Sequence, residues 1–207
     1  MAKLPNPPAE AQLARLGPRI KALPAGTELW RIYFRSGNHH GTWEGFRFFG
    51  SVDARFDHHV PPPHHQSRGV IYGATEIKTC VAEVFQAKRV LDRRRDDPWL
   101  VGFRFGRDVL LHDLTGTWPT AARASMAINT GPRVRAQKWS RAIYEGYPDV
   151  EGLWYCSSMN ANCPAVLLYE RAEDALPAAP FFHRALADPV LFTPLKNAAA
   201  DLGYDFT

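Results

Sequence analysis

The stretch Gly-Val-Ile-Tyr-Gly-Ala-Thr-Glu-Ile-Lys-Thr-Cys-Val-Ala-Glu-Val-Phe (69–85) decides how this chain is read. Its opening is a short apolar strand, Val70–Tyr72. Apolar side chains then recur at Ile77, Cys80, Val81, Val84 and Phe85. That i, i+3, i+4, i+7, i+8 spacing predicts a helix over 75–90 with one stripe turned to a core. Thr75 is the expected N-cap, since its hydroxyl can accept from the free N–H groups of the first turn. At ~100° per residue, Glu83 lies about 130° from the centre of the stripe, beside the buried face. Its i−4 and i+4 neighbours, Thr79 and Ala87, bring no charge to pair with it. The plain alternative is a solvated helix glutamate.

Upstream of this strand stand Ala-Arg-Phe (54–56) and a His- and Pro-rich loop. An arginine, a strand-end tyrosine and a helical glutamate in this order can hold a phosphorylated sugar and stabilise positive charge on it. Arg31 and Arg55 both suit a diphosphate, because guanidinium bonds phosphate oxygens bidentately and keeps its charge. Either can equally serve a structural ion pair. Tyr72 can stack on a flat heterocycle or fill core.

The chain has 207 residues, 45% of them hydrophobic and 22% charged, which fits one soluble globular domain. No run of about 18 apolar residues exists, so no membrane span is expected. The first residues, Met-Ala-Lys-Leu-Pro-Asn-Pro-Pro, lack the apolar centre of a secretory signal. Cys80, Cys156 and Cys163 make neither a CxxC pair nor an even framework. A reducing cytoplasm is the expected setting. The net charge of +4 is mildly basic. Arg133, Arg135, Lys138 and Arg141 fall on a helical pattern with few acids to offset them, and read as a solvated face or a contact for an anionic partner.

Residues 1–26 read as a Pro-rich arm with a short helix over about 10–23. Residues 27–175 carry the functional core, and 176–207 form a tail ending in a helix over 193–202. Strands are expected at Leu29–Phe34, Val70–Tyr72, Leu100–Phe105, Val109–Leu114, Leu153–Cys156 and Ala165–Tyr169. Helices are expected near 119–127 and 133–145, and residues 36–50 read as loop. Strands outnumber long helices without alternating with them, which argues α+β.

Six of the eight histidines stand in adjacent pairs, His39-His40, His58-His59 and His64-His65. Zinc needs three or four ligands converging at ~2.0–2.3 Å. Adjacent residues of an extended chain point to opposite sides, so each pair offers one ligand. No HExxH or matched cysteines accompany them, and Pro61-Pro62-Pro63 favours an exposed polyproline loop. The expectation is a solvated loop and no metal. Ser157 and Ser158 end a strand without a Gly-x-Ser-x-Gly elbow, so a hydroxyl donor to a ligand fits better than a nucleophile.

With these residues assembled, the chain resembles the RES-domain family of bacterial toxins. The likeness runs over roughly residues 28–172. It rests on Leu29-Trp30-Arg31, on Ala-Arg-Phe (54–56) where the family usually has Gly-Arg-Trp, on Val70-Ile71-Tyr72 with Glu83 eleven residues later, and on Gly152-Leu-Trp-Tyr-Cys-Ser157 before a strand ending Tyr169-Glu170-Arg171. The resemblance implies an ADP-ribosyltransferase-like α+β fold of mixed and antiparallel sheets with packed helices. It implies NAD as a consumed substrate rather than a cofactor, cleaved at the nicotinamide–ribose bond by hydrolysis or phosphorolysis, or used to modify a protein. It also implies a helical antitoxin with a DNA-binding part. Carried onto this chain, the implied positions are Glu83, Arg55 and Tyr72 for catalysis, and Arg31, Arg55, Tyr72 and Ser157 for NAD. A metal-dependent hydrolase built on the histidines and a nucleic-acid-binding module using helix 133–141 are the rival classes, although no direct contact with nucleic acid is expected.

Overall fold

The computed structural model describes residues 4–38 and 40–207. Its strands, in chain order, are β1 Ile20–Leu23, β2 Glu28–Phe34, β3 Arg47–Gly50, β4 His64–Ala74, β5 Val90–Leu91, β6 Pro98–Arg104, β7 Val109–Asp113, β8 Gly152–Cys156, β9 Pro164–Tyr169, β10 Phe182–Ala185 and β11 Asp205–Phe206. The helices are α1 Glu10–Leu16, α2 Ile77–Phe85, α3 Trp118–Ala121, α4 Ala127–Thr130, α5 Arg133–Gly146 and α6 Phe192–Leu202. The expected α+β class holds: one mixed sheet is wrapped by helices.

Among the described residues the main sheet has nine strands in the order β1-β7-β8-β9-β4-β2-β6-β10, with β3 added beside β4. Only β7 and β8 pair in parallel in this sheet; β5 and β11 form a small parallel pair of their own. The join between β4 and β2 matters most for function. Every residue of β2 from Glu28 to Phe34 has a partner on β6, whereas toward β4 the register holds at Trp30 opposite Ala74 alone. The two strands diverge there, and α2 leaves β4 at the point of divergence.

Side chains sort by the two-residue period of a strand. On β9, Ala165, Leu167 and Tyr169 face a core with Trp118, Trp139, Ile143 and Tyr155. Val166 and Leu168 face the opposite side, with Leu29, Ile71, Phe103 and Leu111. A third cluster seats α2 and α6 on the sheet through Ile32, Cys80, Val81, Leu100, Leu195 and Ala199. Both faces of the sheet are covered, which is why its central strands read as unbroken apolar runs.

Several expectations need correction. The first helix stops at Leu16, and Ile20–Leu23 is instead strand β1, paired with Val109–His112 of β7. The 36–50 loop contains β3, and strand β4 begins at His64, six residues before Val70. The helix at 75–90 spans only Ile77–Phe85; its N-cap is Glu76 with no side-chain cap bond, so Thr75 does not cap it. The helix near 119–127 is two short ones, α3 and α4. Residues 4–17 are bound into the core: Leu4 and Leu13 are buried with Trp139, whose Nε1 donates to the Pro5 carbonyl at 2.9 Å, and the Tyr147 hydroxyl donates to the Leu13 carbonyl at 3.0 Å.

The histidine pairs also depart from expectation. His39 lies outside the described residues. His64 and His65 are exposed on β4, but His58 and His59 have no solvent exposure at all. The His58 ring stacks on Tyr144 at 4.2 Å and meets Tyr169 edge-on at 4.7 Å. His59 is locked by Asp57, whose Oδ1 accepts from the His59 backbone N at 3.0 Å and contacts Nδ1 at 2.5 Å. Burial, reinforced by nearby positive charge, pushes His58 down to about 2; burial pushes His112 down to about 4. The unfolded chain protonates both rings below pH ~6.5, while the folded chain resists until those lower values, so stability falls as pH drops through that window. Each ring should contribute about 1.4 kcal/mol of destabilisation per pH unit. Urea unfolding at pH 7 and pH 5 should show this loss, and His58→Phe should reduce it; an unchanged pH dependence in that variant would refute the assignment.

Candidate active site

Where β2 and β4 part, a cavity of about 300 Å³ opens, near the lower end for small-molecule sites. Each neighbouring element sends it a residue. Arg31 comes from β2, Tyr72 from the end of β4, Thr79, Cys80 and Glu83 from α2, and Tyr155 and Cys156 from β8. Arg55 enters from the loop before β4, and Arg133 from the first turn of α5. Of the five positions singled out in the sequence, Arg31, Arg55, Tyr72 and Glu83 line this one cavity. Ser157 stands just behind its wall, buried, with Ser158 at the surface of the cavity.

Ser157 nevertheless reaches the site through Glu83. Its hydroxyl donates to Glu83 Oε1 at 2.5 Å and accepts from the backbone N–H groups of Met159 and Asn160, both at 3.2 Å. The turn after β8 thus fixes the hydroxyl, and the hydroxyl fixes one carboxylate oxygen. The other oxygen, Oε2, has a longer contact from Gln86 Nε2 at 3.3 Å. Asn160 ties the same turn to α2 by donating to the buried Thr79 hydroxyl at 2.9 Å. All the hydrogen bonds found for the Glu83 side chain come from neutral groups.

The cations are held in a matching way. Arg31 donates from Nη1 to the Trp43 carbonyl at 2.6 Å, and from both terminal nitrogens to the Gly45 carbonyl at 3.3 Å. Burial draws its pKa down to about 10, against the pull of Tyr33 and Glu44. Arg55 donates to the Gly131 carbonyl at 2.5 Å. Its pKa is lowered by burial first and by the Arg133 charge second, while Glu83 opposes the shift. Neither guanidinium has a carboxylate salt-bridge partner among the described residues. Carbonyls satisfy their N–H groups without cancelling their charge, so both remain available to an anion. The Tyr72 hydroxyl is buried without a hydrogen-bond partner among the described residues, and burial raises its pKa.

The sequence did not point to Thr79, Asn129, Asn160, Tyr155 or Gln86. Only Asn160 carried a local signal, being a turn residue in Ser-Ser-Met-Asn. The basic helix is resolved into separate jobs: Arg133 pairs with Asp53 at 2.6 Å, Arg135 donates to the Leu4 carbonyl, Lys138 to Asn6 and Arg141 to the His59 carbonyl. No group of three or more His, Cys, Asp or Glu among the described residues is placed to hold a metal ion. No helix among them is long and apolar enough to cross a membrane.

Comparison with known proteins places the chain in a family and a fold. The RES domain family model matches residues 28–187, more than half of the chain. The chain belongs to the RES domain family. The matched span begins at β2 and runs past β10, so it includes every cavity residue named above. No curated protein matches the chain in sequence. Among solved structures, a chain of the M. tuberculosis MbcT–MbcA toxin–antitoxin complex superposes with a TM-score of 0.60 at 16% identity, covering 91% of this chain and 96% of that one. At that identity the likeness speaks for the fold: this chain has the same α+β architecture.

Ser157→Ala should strand two turn N–H groups and release Glu83 from β8. A loss of about 1–3 kcal/mol is expected in chemical denaturation, and an undiminished midpoint would show the hydroxyl bond to be dispensable.

Proposed function

We propose that this RES-domain chain is the toxin of a toxin–antitoxin pair and that it destroys NAD by cleaving the nicotinamide–ribose bond. The observation that carries the reading is an oriented carboxylate, Glu83, sharing a cavity with two guanidiniums, Arg31 and Arg55, that have no carboxylate partner among the described residues. NAD presents the complementary charges: a diphosphate for the arginines, and a ribose carbon that becomes cationic as its bond to nicotinamide lengthens.

In the proposed reaction the C1′–N bond breaks and its electron pair leaves with nicotinamide, whose ring thereby becomes neutral. The positive charge passes to the ribose as an oxocarbenium-like centre. Glu83, held by Ser157, stabilises that centre electrostatically and binds ribose hydroxyls, as carboxylates do in glycoside cleavage. Arg31 and Arg55 anchor the diphosphate. Tyr72 stacks beside the nicotinamide, and its unpartnered hydroxyl supplies a polar contact once the cavity fills. The acceptor, water or phosphate, then bonds to C1′ and gives up its proton. Nicotinamide is already a good leaving group, so the mechanism calls for no cofactor and no metal.

The MbcT–MbcA likeness supports the toxin role, and the family resemblance supports a helical antitoxin with a DNA-binding part that covers the cavity mouth. The cytoplasm, which holds the NAD pool, is the proposed place of action. Transfer of ADP-ribose to a protein is the alternative outcome of the same chemistry, with a side-chain nucleophile in place of water.

Purified protein incubated with NAD, with and without phosphate, should yield nicotinamide together with ADP-ribose or its phosphorylated form by mass. Glu83→Gln should lower turnover by about 10²–10³ or more while leaving the melting temperature near that of the wild type. Undiminished NAD loss in that variant would remove Glu83 from the mechanism.

A further inference from the structure

Arg133 is the cavity cation that the family resemblance does not account for. It opens α5, a 14-residue helix with no acidic residue in its first turn and a proline at the N-cap. Its Nη1 donates to Asp53 Oδ2 at 2.6 Å and to the Asp53 carbonyl at 3.5 Å. Its Nη2 donates to Gln86 Oε1 at 3.3 Å. Two residues earlier, the Gly131 carbonyl holds Arg55, so both guanidiniums are fastened to the same corner of the cavity. Like charges repel, and the Arg133 charge adds to burial, the larger cause, in lowering the pKa of Arg55. The Asp53 carboxylate pairs directly with Arg133; among the described residues it makes no hydrogen bond or salt bridge with Arg55, on which its charge acts only as a minor influence.

We infer that Arg55 and Arg133 form a phosphate subsite at the rim of the cavity, in which the Asp53 carboxylate occupies the place a ligand phosphate oxygen takes on Arg133. Asp53 is suited to give way. Its side chain is 79% exposed, and ion pairs so exposed contribute little. A phosphate brings more charge and can bridge both guanidiniums bidentately, which a single carboxylate on one of them does not. The N-terminal dipole of α5 favours the same occupant. Arg133 is thus a specificity-determining residue for phosphorylated ligands, and Asp53 a built-in competitor. The subsite rests on the proposed function only for what carries the phosphate; on that reading it is one phosphate of the dinucleotide.

The two variants separate a ligand site from a structural ion pair by the sign of their effects. Binding of inorganic pyrophosphate and of ADP-ribose is measured by calorimetry on wild type, Arg133→Met and Asp53→Asn, each checked by thermal melting. Arg133→Met should weaken pyrophosphate binding about 10- to 100-fold. Asp53→Asn should tighten it about two- to fivefold, since the competing charge is gone. Weaker binding in both variants would mark the pair as structural and overturn the inference. So would wild-type protein that ignores pyrophosphate, or an Arg133→Met variant that binds it unchanged. Pyrophosphate binding that follows the expected order without any ADP-ribose binding would leave the subsite standing and sink the dinucleotide reading instead.

Discussion

Glu83 is kept apart from Arg31 and Arg55 in the cavity, and the rest of the site depends on that separation. Glu83 is oriented by a serine hydroxyl and a glutamine amide, and Arg31 and Arg55 by backbone carbonyls. A direct Glu83–Arg55 salt bridge would have been the cheaper way to bury both groups, because mutual attraction offsets part of the desolvation. The fold instead satisfies each group's hydrogen bonds with neutral partners and leaves both signs of charge in the cavity wall. Such an arrangement lowers stability in the empty protein. It also means that a ligand carrying both a diphosphate and a sugar with developing positive charge finds each complement already in place.

Holding unpaired charges in fixed positions requires a stiff surround, and the fold supplies one. The loop that carries Arg55 is anchored along its length. The Asp57 carboxylate accepts from the Val52 and His59 backbone N–H groups and from Arg47. Gln137 of α5 donates to the Val52 and Ala54 carbonyls, and Ser140 donates to that of Phe56. Phe56 itself is fully buried against Tyr155. The N-terminal residues join this scaffold from outside the matched family span: Leu4 packs near Gly131, whose carbonyl fixes Arg55. A segment that looks like an appendage in the sequence therefore helps to position a cavity cation.

The parts of the fold that were legible before the structure are those whose signal is local. Strand Leu29–Phe34 alternates, and α2 follows the helical period. Glu83 stood out because its i±4 neighbours offered no partner, and in the structure its partner comes instead from Ser157, 74 residues away. What stayed hidden depends on residues remote in the chain. Ile20–Leu23 becomes a strand because β7 lies alongside it, and three of its four residues are exposed, so no periodic pattern marks it. His58 is buried by Tyr144 and Tyr169, aromatics that nothing in a His-Pro loop announces. Thr75 is a good N-cap by residue type alone, but the chain is still extended at Glu76, with φ −135° and ψ 142°, and the helix starts one residue too late to use it.

The basic helix shows how one pattern can hide unlike roles. Arg133, Arg135, Lys138 and Arg141 look like a single electropositive stripe in the sequence. In the fold three of them act as clasps on neighbouring chain, at Leu4, Asn6 and His59. Their long side chains run along the protein surface and end on polar groups, which spends their hydrogen bonds on the fold. Arg133 alone sits at the helix start, where the free N–H groups and the dipole add to its charge, and it alone lines the cavity. Position on the helix, more than the count of cations, separates a binding group from a scaffold group. A field summed over the stripe would assign the whole face to one extended anionic partner, whereas the geometry confines recognition to its first residue.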